Sequence, residues 1–562
     1  MSNPIDRRSF LARGTAAAAG LTIAGATGGM LTGRASAAPS QSNSGGSSPS
    51  GKHANGISTA KPKKGGKLTF GITAEEKGFD PTTATFDTPG VQYARTVFDP
   101  LTIIDANGKV QPYLAQSVTP NPDYSVWTVT MRPGVNFHDG TPCDAAAIAT
   151  NFEAQKASLL TGSSLANIDT ISVTGPLVVT VTMKAPWVPF DFYLAGGIGG
   201  QVAYIAAPSM LKSADGTSHP VGTGPFVFAE WNQNDHFTAH RNPNYWRPGL
   251  PYLDTIEYRP IPDSQALLNS LLSGGVDLIQ TSTSSVVKAV QANTSLSYID
   301  DRTHLVGEPD MNCLLLNLAK PPFNNLSVRQ AVAMAISSKQ YATVIDQNVN
   351  PPSNGPFTKG SPYYAADGYP AFNPAQAKKL IAKVAQQTGK PVSVNINHVP
   401  DSFDSKIGQF LQQALANVGI RVSLTPVQQD QIINTALTGK FQAQVWTQFS
   451  ATDPDLNYIF WSPTQINSAF SINMARNTDP AMETALIKGR QSADPSVRAQ
   501  AYQQVSTLMA KDLPYIWTDR NVWAVASQPQ VENFNNPTTP AGKPAFGLIA
   551  GAIWPGQIWL NS

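Results

Sequence analysis

A mixed α/β fold divided among several lobes is predicted for this chain, on three observations. Alternating apolar and polar runs that suit strands are interleaved with longer stretches that suit helices. No unit of roughly 20–50 residues recurs, which argues against solenoids and propellers. At 562 residues the chain is several times the roughly 150 residues of an average domain, so three or four lobes are expected. Lobes of that size bury a core without disulfides or metal. Composition narrows the function. Lys+Arg number 39 and Asp+Glu 37, a net charge of +2, which lacks the basic footprint of a nucleic-acid binder. Charged residues are 14% against about 25% in an average soluble domain, so Ser, Thr, Asn and Gln must form much of the wetted surface. Two cysteines supply neither a disulfide framework nor a Cys-rich zinc module.

In chain order, the first segment reads as an address. Arg7 and Arg8 stand before Ser9-Phe10-Leu11, a mildly apolar run spans Ala12 to Leu31, and Ala35-Ser36-Ala37 offers small residues for cleavage. Residues 1–37 are therefore expected to be a twin-arginine-type export signal. The run is Gly- and Ala-rich, poor material for spanning about 30 Å of hydrocarbon. With the cysteines at Cys143 and Cys313, a lipoprotein anchor is not expected. Residues 38–65, rich in Ser, Gly, Asn and Lys, are expected to be a flexible linker; Lys61-Pro62-Lys63-Lys64 is its basic end. Folding begins with the alternating strand Lys67 to Ile72. Ser125 to Met131 is a second strand, turned by Arg132-Pro133-Gly134. Asp144 caps a helix over Ala145 to Lys156. Strands follow at Ile171 to Val173 and Val178 to Val181. Helices are expected at Asp263–Ser273, Val328–Ile336, Pro374–Gln387, Asp404–Val418, Gln428–Thr438 and Asp494–Lys511. Gly134 and Gly140 suit turns that need positive φ.

Catalytic signals are absent. His236 and His240 are spaced for one helix face, but no Glu follows His236 and the set stops at two, whereas zinc takes three or four ligands. The segment also reads as a hairpin with Phe226-Val227-Phe228. Neither Gly-x-Ser-x-Gly nor a phosphate loop occurs. Asp99 and Asp139 stand in turn contexts. No catalytic residue, metal site or cofactor is expected. An exported hydrolase of peptides or glycans is the alternative of a different class. Cys143 and Cys313 are not expected to pair.

Several segments, in order, carry a resemblance. They are Phe98-Asp99-Pro100-Leu101; Gly108 to Ser117; Trp127 to Gly140; Pro220-Val221-Gly222-Thr223-Gly224-Pro225-Phe226; Arg241-Asn242-Pro243-Asn244-Tyr245-Trp246; Ile261 to Leu278; and Leu316-Asn317 through Ala331. Together the sequence resembles the extracellular solute-binding proteins of the peptide/nickel type, family 5, that serve ABC importers. The resemblance implies a periplasmic-binding-protein-like two-lobed clamp of type II, enlarged with an extra inserted domain. Lobe I would comprise 66–108, 221–305 and 520–562, inserted lobe II 109–220, and lobe III 306–519, with crossing strands as the hinge. It also implies a monomeric extracytoplasmic subunit that captures a small solute and delivers it to a permease and its ATPase subunits. The membrane would be met only through the permease or an uncleaved leader. A receptor feeding a sensor would share the clamp.

The resemblance further nominates a site. In peptide-binding relatives a Trp is followed by an Asp that accepts the ligand's α-amino group, then by an Asp-Pro-Asp-like turn. Here Trp446 and Asp453-Pro454-Asp455 match, but the intervening stretch is one residue longer. Phe449 or Ser450 stands where the Asp is expected. A buried ammonium without a carboxylate is costly, so either Asp453, Asp310 or Glu75 substitutes, or the ligand lacks a free α-amine, as an oligosaccharide or a blocked peptide does. Trp446, Phe449, Ser450, Thr73 and Glu75 are the candidate ligand-binding residues, the last two at the end of the first strand.

Overall fold

The computed structural model describes residues 56–196, 201–302, 306–366, 368–449 and 451–561. The expected signal (1–37), the first part of the expected linker and Ser450 lie outside them. Lys67–Ile72 forms the strand its alternation predicts, at the centre of a seven-stranded sheet. It pairs in parallel with Thr255–Pro260 on one side and Leu278–Thr281 on the other. The rest of the sheet is antiparallel: His236–Arg241 and Phe226–Asn232 beyond the first neighbour, Ala524–Ser527 and Ser297–Asp300 beyond the second. His236 and His240 thus lie on a strand, and no metal-holding cluster of His, Cys, Asp or Glu occurs among the described residues.

A second, four-stranded antiparallel sheet runs Ala115–Pro120, Val126–Met131, Val178–Met183, Ile168–Gly175. Its alternation places Trp127, Val129 and Met131 inward, against the helix Ala145–Ala157, whose first turn is capped by the Asp144 carboxylate at 3.0 Å from Ala147 N. These two sheets share one continuous apolar core, from Leu68 and Phe70 to Trp127 and Val181. A third sheet of five strands, Arg421–Pro426, Ser393–His398, Ala443–Gln448, Met311–Leu316 and Tyr515–Arg520, has separate apolar clusters on its two faces.

Helices form where caps and apolar spacing predict them, with small shifts. Asp263 and Asp494 cap Ser264–Leu272 and Pro495–Asp512. The helix expected from Asp404 starts earlier, as Ser402–Ala416, because the Asp401 carboxylate accepts from Asp404 N at 2.8 Å. Gly134 and Gly140 adopt φ of 74° and 83°. Asp99 is no solvated turn residue: it is buried, accepting from Tyr245 OH, Trp246 Nε1 and Thr223 Oγ1. The end of the expected linker is docked: Gly56 is buried against the Phe534 ring, an approach only a residue without a side chain permits, and its carbonyl accepts from Asn535 N. Cys143 and Cys313 are free and buried in different cores. No helix among the described residues is long and apolar enough to cross a membrane.

Candidate ligand site

Two connections carry the chain between the seven-stranded and five-stranded sheets. One runs from Ser297–Asp300 to Met311–Leu316, the other from Tyr515–Arg520 to Ala524–Ser527. The residues in these connections, and those packed on them, form the junction. Gly307 lies so close to the chain after Ala443–Gln448 that a Cβ there would sit 2.2 Å from the Ala451 carbonyl oxygen. This approach lets Glu308 and Ala451 exchange backbone hydrogen bonds of 2.8 and 3.1 Å. Ala451 and Leu456 thereby bury themselves in the core of the other two sheets.

Across the second connection, Trp523 donates Nε1 to Asp310 Oδ2 at 2.7 Å. Its ring lies on Gly551, where a Cβ would come within 2.7 Å of the indole, and beside Thr88 at the start of the helix Thr88–Val97. The junction is rich in acids. Glu76, Asp301, Glu308 and Asp310 are all buried. Burial, then the nearby Asp87, pushes the Glu76 carboxyl well up. Burial also drives Asp301 upward, and Asp310 and Asp300 add to it. Glu308 is raised by burial, opposed by the charge of Arg520, and accepts from Thr358 N at 2.7 Å. Arg520, held by the Gly355 carbonyl at 2.7 Å, is lowered by burial to about 10.

The residues nominated from sequence fall into two groups. Trp446 and Phe449 meet edge-to-face with ring centroids 5.9 Å apart, and Phe449 continues to Phe460 at 5.1 Å. Trp446 is only 7% exposed and packs in the apolar cluster of Met311, Cys313 and Trp517. Its Nε1 is buried without a hydrogen-bond partner. Thr73 and Glu75 follow Lys67–Ile72 on the other body, both half-buried. All three acids proposed as substitutes have partners, Asp310 accepting from Trp523 Nε1. Glu75 accepts from Trp231 Nε1 and Asn234 N, each at 2.8 Å, and Asp453 is paired with Arg498 at 2.6 Å. Asp310 is the one that lies in a connection between sheets. Sequence reasoning missed Trp523, Glu308, Thr88 and Gly551; Trp523 and Thr88 meet at Gly551, and Glu308 meets Ala451, across sequence separations that no local spacing reports.

A further contact joins the four-stranded to the five-stranded sheet's body. Trp187 donates Nε1 to Asp455 Oδ2 at 2.9 Å and Tyr193 OH donates to the Asp455 carbonyl at 2.6 Å. Asp455 is fully buried and paired with Arg490 Nε at 3.0 Å; the Arg490 guanidinium stacks over Tyr458 at 3.6 Å and Trp187 at 4.9 Å.

Two bodies joined by paired crossings, with aromatic and acidic side chains gathered at the join, suit enclosure of a small solute. The model of the bacterial extracellular solute-binding proteins, family 5 (middle region), matches residues 109–468. The chain belongs to this family. It is thus a solute-binding component acting outside the cytoplasm, and not an enzyme. Among curated relatives it is 28% identical to the glutathione-binding protein GsiB of Pectobacterium atrosepticum, over 77% of this chain and 84% of that one. The periplasmic binding protein DppA of Helicobacter pylori, solved with a peptide, superposes with a TM-score of 0.78 at 22% identity, covering 89% and 99% of the two chains. The oligopeptide-binding protein AppA of Bacillus subtilis, solved with a nonapeptide, gives 0.78 at 20% identity, covering 89% and 100%. The two-lobed family 5 fold is therefore the architecture of the chain.

Proposed function

We propose that this family 5 protein captures a peptide or another small polar solute at the junction and hands it to an ABC permease driven by ATPase subunits. The observation that carries the reading is the crossing between the bodies, where Trp523 donates to Asp310 and Glu308 pairs with Ala451. The moving parts would be residues 66–108, 221–305 and 520–562 with the inserted 109–220, against 306–519. A ligand that touches both bodies only when they close shifts the population by its differential affinity. Trp446, Phe449, Ser450 and Thr73 would line the cleft, and Asp310 would take the acid's role, since it lies in a connection between the two bodies, where it accepts from Trp523 Nε1. The chain would act as a monomer, exported by the twin-arginine-type leader at 1–37.

The test is a melting-temperature screen of the mature protein against peptides, N-acetylated peptides, glutathione and oligosaccharides. A ligand at 100 times its dissociation constant adds about 2.7 kcal/mol of stability. Binding of free-amino peptides that is lost in Asp310→Asn places the ammonium at Asp310. Preference for blocked peptides or sugars selects a ligand without a free α-amine. A flat screen across all four classes would count against solute capture of this kind.

A further inference from the structure

Away from the junction, where the four-stranded sheet meets the seven-stranded one, a cavity of about 490 Å³ is lined by Gln116, Arg132, Gly134, Trp246, Arg247 and Pro540, among others. None of its lining residues is acidic. Both arginines are anchored on one residue: Arg132 Nε donates to the Tyr113 carbonyl at 2.7 Å, and Arg247 Nη1 to the Tyr113 hydroxyl at 3.3 Å. Arg247 Nη2 is held by the Thr538 carbonyl at 3.0 Å. Arg132 lies over the Trp246 ring at 5.2 Å and Arg247 over the Tyr113 ring at 5.4 Å. Every fixing contact is to a neutral acceptor or a ring. Among the described residues neither guanidinium forms an ion pair, and both Nη groups of Arg132 lack a protein acceptor.

The nearest acid is already saturated. Asp99, beneath Trp246, is 1% exposed and accepts from three neutral donors. Burial raises it to about 6, so at pH 7 it is mostly ionised and its charge helps to hold Arg247, but it is not among the residues that line the recess. Burial, followed by the charge of Arg247, lowers the Arg132 pKa. Arg247 is held in its charged form, burial being outweighed by Tyr113, Tyr245 and Asp99, so Arg132 is the guanidinium left without a counter-charge in a recess lined by no carboxylate. A guanidinium with both Nη groups unused offers the planar fork that carboxylate and phosphate match.

We propose that this recess is a second binding site, which takes an oxyanion, carboxylate or phosphate, of a small solute between Arg132 and Arg247, on the indole of Trp246. It shares no residue with the junction and does not depend on which solute binds there.

The test is calorimetric titration of the mature chain at pH 7 with sodium citrate and sodium phosphate, at ionic strength matched with sodium chloride. Saturable binding of at least one is expected, weakened about tenfold or more in Arg132→Gln, with the unliganded melting temperature near that of the parent. Arg132→Lys, which keeps the charge and loses the fork, is expected to fall between the two. Citrate alone assigns the site to carboxylates, phosphate alone to phosphates, and both to the shared chemistry. No heat above the chloride control, or an affinity in Arg132→Gln equal to the parent's, overturns the proposal.

Discussion

Replacing Trp187 with phenylalanine separates a clamp held shut by its own side chains from a fixed contact. Trp187 follows the four-stranded sheet, and its Nε1 donates at 2.9 Å to a carboxylate, Asp455, on the other body. A phenyl ring keeps the packing on Phe190 and Tyr193, whose rings lie 5.0 and 4.8 Å away, but loses the N–H. A hydrogen bond to a charged group contributes about 1.5–3 kcal/mol. If that bond forms only when the bodies are closed, its loss moves the open–closed balance by roughly 10- to 100-fold, at about 1.4 kcal/mol per tenfold. The Tyr193–Asp455 and Val188–Arg490 backbone contacts remain, so closure is weakened and not abolished. Small-angle scattering of the ligand-free protein should give a larger radius of gyration for the variant. Calorimetry should give a weaker affinity for whichever solute the screen identifies, because less of the protein is competent. An unchanged radius and affinity, with only a lowered melting temperature, would make the contact part of a rigid fold and refute hinge closure through it. Asp455→Asn is the contrasting variant. It leaves Arg490, 6% exposed, without its carboxylate. Breaking a buried pair from one side costs about 3–5 kcal/mol, so this variant should lose melting temperature outright.

Trp446→Ala is expected to cost about 3–5 kcal/mol of stability by cavity formation, since the ring is buried in a core. Reading only cleft lining from the sequence would predict weaker binding without unfolding; the melting curve distinguishes the two. Gly551→Ala should be destabilising by roughly 1–3 kcal/mol through strain at φ 78° and overlap with the Trp523 indole. It should also blue-shift or quench Trp523 emission differently from the parent, an effect absent if the indole does not rest there. Asp346 and Asp519 form a buried carboxyl pair bridged by Asn350, with Ser284, Lys406 and Tyr341 facing them. Burial, with the Asp519 charge, raises Asp346, and burial raises Asp519. The folded form then holds protons that the unfolded form has released. Stability from this pair is full below the ordinary carboxylate range and is lost as pH rises toward the raised folded values. Asp346→Asn should flatten the fall in melting temperature between acid and alkaline pH; an unaltered slope would show that the pair does not titrate in that window.

How much of this was legible follows from how local each signal is. The strand Lys67–Ile72 and the helix capped by Asp144 are encoded within a few residues, by alternation and by a carboxylate that reaches the first turn. They were readable from sequence to within a residue at most ends. The five-stranded sheet was hardly readable. Its strands Met311–Leu316 and Tyr515–Arg520 are buried on both faces, so they lack the alternation that betrays a half-exposed strand. The pairing of Glu308 with Ala451 joins residues far apart in sequence, and nothing around either one announces the other. Trp446 is a different case: resemblance located its strand, and only packing reveals that its ring is 7% exposed against Met311, Cys313 and Trp517.

The acids at the junction bear on the ligand more than the missing acid near Ser450 does. Loss of a carboxylate from one loop suggests a neutral guest only if no other carboxylate faces the same space. Glu76, Asp301, Glu308 and Asp310 are all buried, Glu308 facing the charge of Arg520 and Asp301 those of Asp310, Asp300 and Arg302. Burial raises several of them, which favours their protonated forms. A solute bringing an ammonium would displace such protons, and its capture would tighten as pH rises from the carboxylate range toward neutrality. A neutral sugar would show no such dependence. Titrating affinity against pH therefore separates the two ligand classes by the sign of one slope, and proton release measured in buffers of different ionisation enthalpy must agree with it.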